Sequence, residues 1–356
     1  MASATPTVDG EWPLRRLMTE VVGSGHKSAD DMTEAQAREA MAHIVAGDPD
    51  PTTLGAFWLA NRWKRNTPTE LAAFTDVTVE SAVERAVPDA DPVDCGAAYD
   101  GKHTTAILGV AAGATAAAAG TPVVVHSGDR VPTQKLPAYK HVLDELGVRT
   151  ELSPGESADV VDEVGFGFYY QPAFAPGIHD LWDRRDQMGV RTFLNTIETL
   201  ANPAGASVHL GSFYHLAFAK RVVETLQESE QAGFERVIMF QGLEGYDDVR
   251  PGATTVAEWR AGEALEDYEI ATADYGMSLE SEDLAVEDVA ADSADVTESV
   301  LAGEREGPFA DAVALNAALR IYAGDGADTL EDALAAARDA IADGSALAVL
   351  RDLQSV

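Results

Sequence analysis

Cysteine is almost absent from this chain of 356 residues: Cys95 stands alone. A lone cysteine has no partner for an internal disulfide, which excludes a disulfide-stapled scaffold and fits a reducing, cytoplasmic interior. No His–Asp pattern surrounds Cys95, so it reads as a small buried residue and not as a nucleophile. Lysine is scarce too, with only Lys27, Lys64, Lys102, Lys135, Lys140 and Lys220. Long apolar runs are missing. The longest, around residues 109–125, is rich in Ala and Gly and is broken by Pro122, too weak for a membrane span. Residues 1–10 carry neither a basic segment nor an apolar core, so no signal peptide is expected. Internal repeats and low-complexity linkers are also lacking.

What the chain has in excess is negative charge. Asp and Glu number 60 against 25 Lys and Arg, for a formal net charge of -35. The acid is spread along the chain, as in Leu279-Glu280-Ser281-Glu282-Asp283 and Asp328-Thr329-Leu330-Glu331-Asp332. Disorder is one reading of such charge. An apolar content of 46% is that of a globular protein, so a solvated acidic shell on a folded core is the better one. Such a shell repels itself at low salt and is screened at molar salt, which points to a halophilic cytoplasm. It also repels nucleic acid unless basic residues cluster locally.

The first part of the chain reads as helices. Trp12 to Val22 is apolar at helical spacing, and Gly23-Ser24-Gly25-His26-Lys27 breaks it as a helix connection. Thr33-Glu34-Ala35-Gln36 has the pattern of an N-terminal cap, with Gly47 as the stop. A third helix spans about 51–64. A fourth follows Thr67, with Pro68 suited to a first helical turn. The pattern then alternates. Pro92 to Gly96, Thr121 to His126, Phe166 to Tyr170 and Val237 to Phe240 read as strands. Segments 104–119, 136–146, 176–188 and 216–232 read as helices, and 301–322 and 329–343 as C-terminal ones. Strand and helix in alternation predict an α/β fold with a mainly parallel, helix-flanked sheet.

Several segments carry a family likeness. Met32 to Ala37, then Gly47, then Leu54-Gly55-Ala56-Phe57 form one set. Gln187-Met188-Gly189-Val190-Arg191-Thr192-Phe193-Leu194-Asn195, with Leu200-Ala201-Asn202-Pro203-Ala204-Gly205-Ala206, form a second and more specific one. Asn316-Ala317-Ala318 and residues 327–347 form a third. Together they resemble the anthranilate phosphoribosyltransferase family over roughly residues 15–350. With the charge, the resemblance implies a divergent, haloarchaeal-type member with eroded phosphate motifs. It implies a helical lobe at 11–85 completed by a segment near 176–205, and an α/β domain at 86–175 and 206–356. It further implies a hinge-cleft active site, a homodimer, and a place in tryptophan biosynthesis.

The resemblance also implies a chemistry: Mg²⁺-dependent transfer of a phosphoribosyl group from phosphoribosyl pyrophosphate (PRPP) to a small acceptor. The family's Gly-Thr-Gly-Gly-Asp turn falls on Gly96-Ala97-Ala98-Tyr99-Asp100, so Gly96, Asp100, Gly101, Lys102 and Thr104 are the expected phosphate contacts. A glycine-rich turn opening a helix suits an anion, although Tyr99 is bulky where a backbone must come close. The family's Lys-His-Gly-Asn-Arg loop falls on Val125 to Arg130, leaving His126 and Arg130. Arg185 matches the arginine that meets the acceptor's carboxylate, with a geometry suited to it. Asp247 and Asp248 stand where the family carries its Mg²⁺ carboxylates. No catalytic residue is assigned. The expectation is that these side chains converge on one cleft beyond the strand ends. The alternative is a catalytically inactive paralogue with a binding role, nucleic acid included. The charge along Lys102, Arg130, Lys135 and Lys140 discriminates the two.

Overall fold

A computed structural model describes residues 10–25, 27–96 and 99–356. The start of the chain, read above as lacking a signal peptide, lies outside the described residues. So do His26 of the first loop and Ala97 and Ala98 of the glycine-rich turn.

Four helices open the chain: α1 (Leu14–Glu20), α2 (Glu34–Val45), α3 (Pro51–Lys64) and α4 (Pro68–Ala82). Their starts are set by side chains. Thr33 and Gln36 form a reciprocal capping box, as do Thr67 and Glu70, and Asp50 accepts from the Thr52 and Thr53 N–H groups. Each such cap satisfies backbone donors that the first helical turn leaves unpaired, worth about 1 kcal/mol.

The rest of the chain runs β1 (Val93–Gly96), α5 (Gly109–Ala118), β2 (Val123–Ser127), α6 (Tyr139–Glu145), α7 (Pro154–Val164), β3 (Phe166–Tyr170), α8 (Gln171–Phe174), α9 (Pro176–His179), α10 (Trp182–Met188) and α11 (Leu194–Ile197). It continues with β4 (Val208–Phe213), α12 (Leu216–Glu228), β5 (Arg236–Gln241), β6 (Ala253–Arg260), β7 (Glu266–Ala271), α13 (Val289–Leu301), α14 (Pro308–Ala323), α15 (Leu330–Ala342) and α16 (Ser345–Ser355). The fold is α/β: a helical N-terminal lobe and one seven-stranded sheet in the order β3-β2-β1-β4-β5-β6-β7. Neighbours from β3 to β5 pair in parallel, and β6 and β7 add an antiparallel edge.

Alternation along β2 divides the apolar residues between two cores. Val123 and Val125 pack with α5 and α14 on one face. Val124 joins the core of α1–α4, which also takes in Phe174, Ile178, Phe193, Leu194 and Ala204. The segment 174–204 thus packs with the N-terminal helices although it is far from them in sequence.

Several elements differ from the expectation. The predicted helix at 104–119 starts only at Gly109, because residues 104–106 bond across to 284–286 instead. The 176–188 helix splits into α9 and α10. The 301–322 helix begins at Pro308: Gly303 and Gly307 take positive φ, ending α13 and opening α14. Strands β4, β6 and β7 were not expected. The charged, largely exposed β7 (Glu266, Asp267, Glu269) hides the strand alternation, as edge strands do.

Candidate active site

Parallel register places Asp94 of β1 beside Val124 of β2 and His209 of β4. Asp94, Gly96, His126 and His209 therefore share the sheet face toward the helical lobe. Asp94 is fully buried between two imidazoles, with His209 Nδ1 at 2.8 Å and His126 Nε2 at 3.2 Å. Burial alone would raise the Asp94 carboxyl; His126 and His209 outweigh it and hold it at about 2. The other ring nitrogen of His126 meets the Tyr99 hydroxyl. Gly96 ends β1 against the Thr199 carbonyl. A Cβ there would lie 2.2 Å from that oxygen, so only glycine fits.

Beyond these strand ends lies a cleft of about 520 Å³ between the lobes. The helical lobe supplies Arg62 of α3, and the segment packed on that lobe supplies Arg191, Thr192 and Asn195. The sheet lobe supplies Asp100 and Gly101 after β1, Tyr214 and Phe218 after β4, and Glu244 after β5. Arg62 Nη1 donates to the Arg191 carbonyl at 2.8 Å, and Arg191 pairs with Asp100. Burial raises the Asp100 carboxyl above its ordinary range although Arg191 pulls it down. Gly101 takes φ +79° and its Cα lies against the Pro137 carbonyl, where a Cβ would clash at 2.1 Å.

Glu244 reaches across this cleft wall. Its carboxylate accepts from the backbone N–H of His103 (2.8 Å), Thr104 (3.2 Å) and Thr105 (2.8 Å), and from the hydroxyls of Thr104 (3.0 Å) and Thr105 (2.7 Å). These donors outweigh partial burial and lower its pKa. Reaching them holds Glu244 in the left-handed region, at φ +57° and ψ +16°.

Behind the cleft the charges are sealed. Lys102, Asp247, Asp248 and Arg320 are all 0% exposed. Lys102 Nζ donates to Asp248 Oδ2 at 2.8 Å and to the Ala106 carbonyl at 2.7 Å, and Asp248 also accepts the Leu108 N–H. Arg320 Nη2 donates to Asp247 Oδ2 at 2.9 Å, which also takes the Tyr139 hydroxyl. Burial raises the Asp247 carboxyl against the pull of Arg320. Arg185 and Glu198 form a buried, two-pronged pair with both contacts at 2.8 Å. Such forked guanidinium–carboxylate pairs are strong and directional.

The helical bundle domain of the glycosyl transferase family matches residues 21–82, and its a/b domain matches residues 91–347. The anthranilate phosphoribosyltransferase of Methanocorpusculum labreanum is 33% identical over 92% of this chain and 94% of its own length. That of Dechloromonas aromatica is 36% identical over 87% and 90%. This chain belongs to the anthranilate phosphoribosyltransferase family. The solved enzyme of Thermus thermophilus superposes with a TM-score of 0.80 at 27% identity, covering 92% of this chain and 96% of that one. The Saccharomyces cerevisiae enzyme in complex with PRPP and Mg superposes at 0.79 with 17% identity, over 96% and 97%, a likeness of fold alone.

Within this family frame the expected site residues separate. Asp100 and Gly101 line the cleft, Thr104 holds Glu244 at its wall, and Gly96 closes a small recess beside it. The others are not brought there. Lys102 turns into the core, because unpaired burial of Asp248 would cost more than any surface contact returns. His126 is sealed between Asp94 and Tyr99. Arg185 meets Glu198, so the chain's own carboxylate takes the place expected for an acceptor's. Arg130 lines a separate recess of about 600 Å³ with Asp129, His141, His179, Asp180, Trp182 and Asp183. That recess is larger, but it is rich in carboxylates and lies apart from the ends of β1, β4 and β5.

Asp247 and Asp248 do not fit Mg²⁺. The ion takes near-octahedral oxygen ligands. Here each carboxylate already holds a cation, and the one unpartnered oxygen, Asp247 Oδ1, is buried. Among the described residues no three His, Cys, Asp or Glu side chains converge as a metal group. Glu244, Arg62, Arg191 and Asn195 line the cleft but were not among the expected residues. Arg191 and Asn195 stood inside the quoted central signature. Glu244 had a usable signal too: it lies three residues before the Asp247–Asp248 pair, after a predicted strand.

Proposed function

We propose that this chain is a glycosyltransferase of the anthranilate phosphoribosyltransferase type that moves a phosphoribosyl group from PRPP to a small aromatic or other acceptor in the hinge cleft. The observation that supports this best is a cleft walled by both lobes, with two arginines, Arg62 and Arg191, at its lining. Planar guanidinium groups suit the oxygens of a departing pyrophosphate. In the transfer, the ribose C1–O bond to pyrophosphate breaks, a C1–N bond to the acceptor amine forms, and that amine loses a proton. Two acidic side chains line the cleft. Glu244 has its carboxylate engaged by five donors of the 103–105 loop, whereas Asp100 meets only Arg191 and, at 3.5 Å, the Asn195 amide, and with its raised pKa it suits a proton acceptor. Tyr214 and Phe218, both exposed, offer flat faces to an aromatic acceptor. Mg²⁺, if required, would neutralise charge on the donor's pyrophosphate; no residue of this chain is assigned to hold it.

Homodimerisation, a halophilic source and a place in tryptophan biosynthesis belong to the same proposal. Light scattering in molar KCl reads the first of these. The inactive, nucleic-acid-binding alternative finds little support in the charges named for it. Lys102 pairs with Asp248, Lys135 with Asp186, and Lys140 with Asp144, while Arg130 opens on an acidic recess. The test is mass spectrometry after incubation with PRPP, Mg²⁺ and anthranilate in molar KCl. A phosphoribosylated acceptor is expected. No adduct with anthranilate or with a panel of aromatic amines would overturn the proposal.

A further inference from the structure

The hydrogen bonds around Glu244 are unusual in what they converge on. Three consecutive backbone N–H groups, from His103, Thr104 and Thr105, and two hydroxyls aim at a single carboxylate. Successive N–H groups that point into one concavity form an anion-binding nest, and they serve carboxylate and phosphate oxygens alike. The cradle carries no cation of its own. Lys102, next to it in sequence, is turned into the core and spent on Asp248. Only one anion can therefore occupy it at a time.

Glu244 is also held at a cost. It is a non-glycine residue at φ +57°, followed by Gly245 at φ +76°. A left-handed conformation at such a residue persists only where its surroundings over-determine it, and it clusters at ligand clamps and switches. Glu244 and Gly245 both line the cleft, so a ligand reaches the carboxylate without opening the core. The donors keep Glu244 ionised, which makes it a true competitor for an incoming anion.

We propose that the 103–105 cradle is an anion site that Glu244 fills from within the chain, and that a pyrophosphate-bearing ligand enters it by displacing the Glu244 carboxylate. This rests on the cleft being a phosphoribosyl-transfer site, and it assigns Glu244 as the residue that sets affinity there. A ligand that must first displace an occupant binds more weakly by the fraction of molecules in which the site is free. A simple carboxylate gains nothing by the exchange. A pyrophosphate, with more oxygens and charge shared with Arg62 and Arg191 across the cleft, does.

The experiment is titration calorimetry of the full chain with inorganic pyrophosphate in molar KCl, without acceptor. Glu244→Ala is expected to bind at least tenfold more tightly than the unmodified chain (~10-fold per 1.4 kcal/mol). Pyrophosphate should also restore the melting temperature that Glu244→Ala loses, because it refills the cradle. Thr105→Val added to Glu244→Ala should weaken both effects, because it removes one of the five donors. Should Glu244→Ala fail to fold, Glu244→Gln, which keeps the shape and removes the charge, takes its place. Equal affinity with and without Glu244, no binding to any variant, or binding indifferent to Thr105→Val would each overturn the proposal. The calorimetry measures no turnover, so its outcome is independent of the transfer assay. Tighter pyrophosphate binding without any transfer product leaves the cradle standing and removes the enzyme reading. Unchanged pyrophosphate affinity alongside a transfer product does the reverse.

Discussion

Glu198 and Glu244 each place a carboxylate where the family frame leads one to expect an oxygen of a ligand, and they do so in opposite surroundings. Glu198 sits with Arg185 in a fully packed position, 3% and 4% exposed, and also takes the Gln171 amide. Glu244 sits on backbone N–H groups and threonine hydroxyls at the wall of an open cleft. The first pair is a charge matched by a charge in a dry place, which nothing small can exchange without leaving an ion stranded. The second is a charge matched by neutral donors beside water, where another anion is an equal partner. Similar chemistry is thus structural in one place and replaceable in the other, and the difference is access.

Salt should produce the largest effect, because it acts on the whole acidic surface at once. A net charge of -35 repels itself over about 30 Å at 0.01 M salt and over about 3 Å at 1 M. The expected outcome is steep loss of far-UV circular dichroism and melting temperature as KCl falls from molar to millimolar. A salt-independent melt would remove the halophile expectation, and buried pairs such as Arg185–Glu198 are screened far less than the surface.

Glu198→Ala comes next. It strands the Arg185 guanidinium, and unfolding in denaturant at molar KCl should show a loss of about 3–5 kcal/mol. If benzoate or anthranilate rescued that loss, the Arg185 site would be open after all and the contrast with Glu244 would collapse. Lys102→Met should cost a similar amount by stranding Asp248. The double change Lys102→Met with Asp248→Leu should recover most of it, since replacing both partners leaves no unpaired charge. A mild Lys102→Met would mean that Asp248 is free to serve a cation.

Acid offers a smaller effect with a defined sign. The Asp94 carboxyl titrates at about 2 in the fold against 3.8 ordinarily, so the folded state releases this proton more readily than the unfolded one. The resulting stability, about 2 kcal/mol from that shift, is full above pH ~4 and is lost as pH falls toward 2. Asp94→Asn should flatten that part of the stability curve, and an unchanged slope would mean that the two histidines do not hold the carboxylate. The smallest stability effect belongs to Arg191→Ala. Its side chain is 44% exposed, so the pair with Asp100 should contribute only about 0–1 kcal/mol. Its effect on pyrophosphate affinity should be larger, about tenfold, since a lost charge-assisted contact costs about 1.5–3 kcal/mol. A large stability loss would move Arg191 to the sealed class.

Local signals in the chain carried the α/β class, the caps at Thr33 and Thr67, the strands at Val123 and Val237, and the family likeness. Each of these is a matter of residues a few positions apart, where period, capping and turn chemistry act. Local signals also led to Asp100 and Gly101, which line the cleft. They did not show that Lys102, His126, Arg130, Arg185, Asp247 and Asp248, all of which look like ligand contacts as residue types, would lie away from that cleft. Whether a charged side chain faces water depends on its partner, and most of those partners stand far off: Lys102 and Asp248 are 146 residues apart, Asp247 and Arg320 are 73 apart, and Glu244 lies 139 to 141 residues from its cradle, while Arg185 and Glu198 are 13 apart and belong to different helical segments. Composition determined an acidic, folded, disulfide-free chain, and pattern determined its fold. Which carboxylates were sealed against cations and which one was left at the cleft wall was decided only in the tertiary structure, because burying a charge is affordable only where packing delivers its counter-charge or its hydrogen-bond donors.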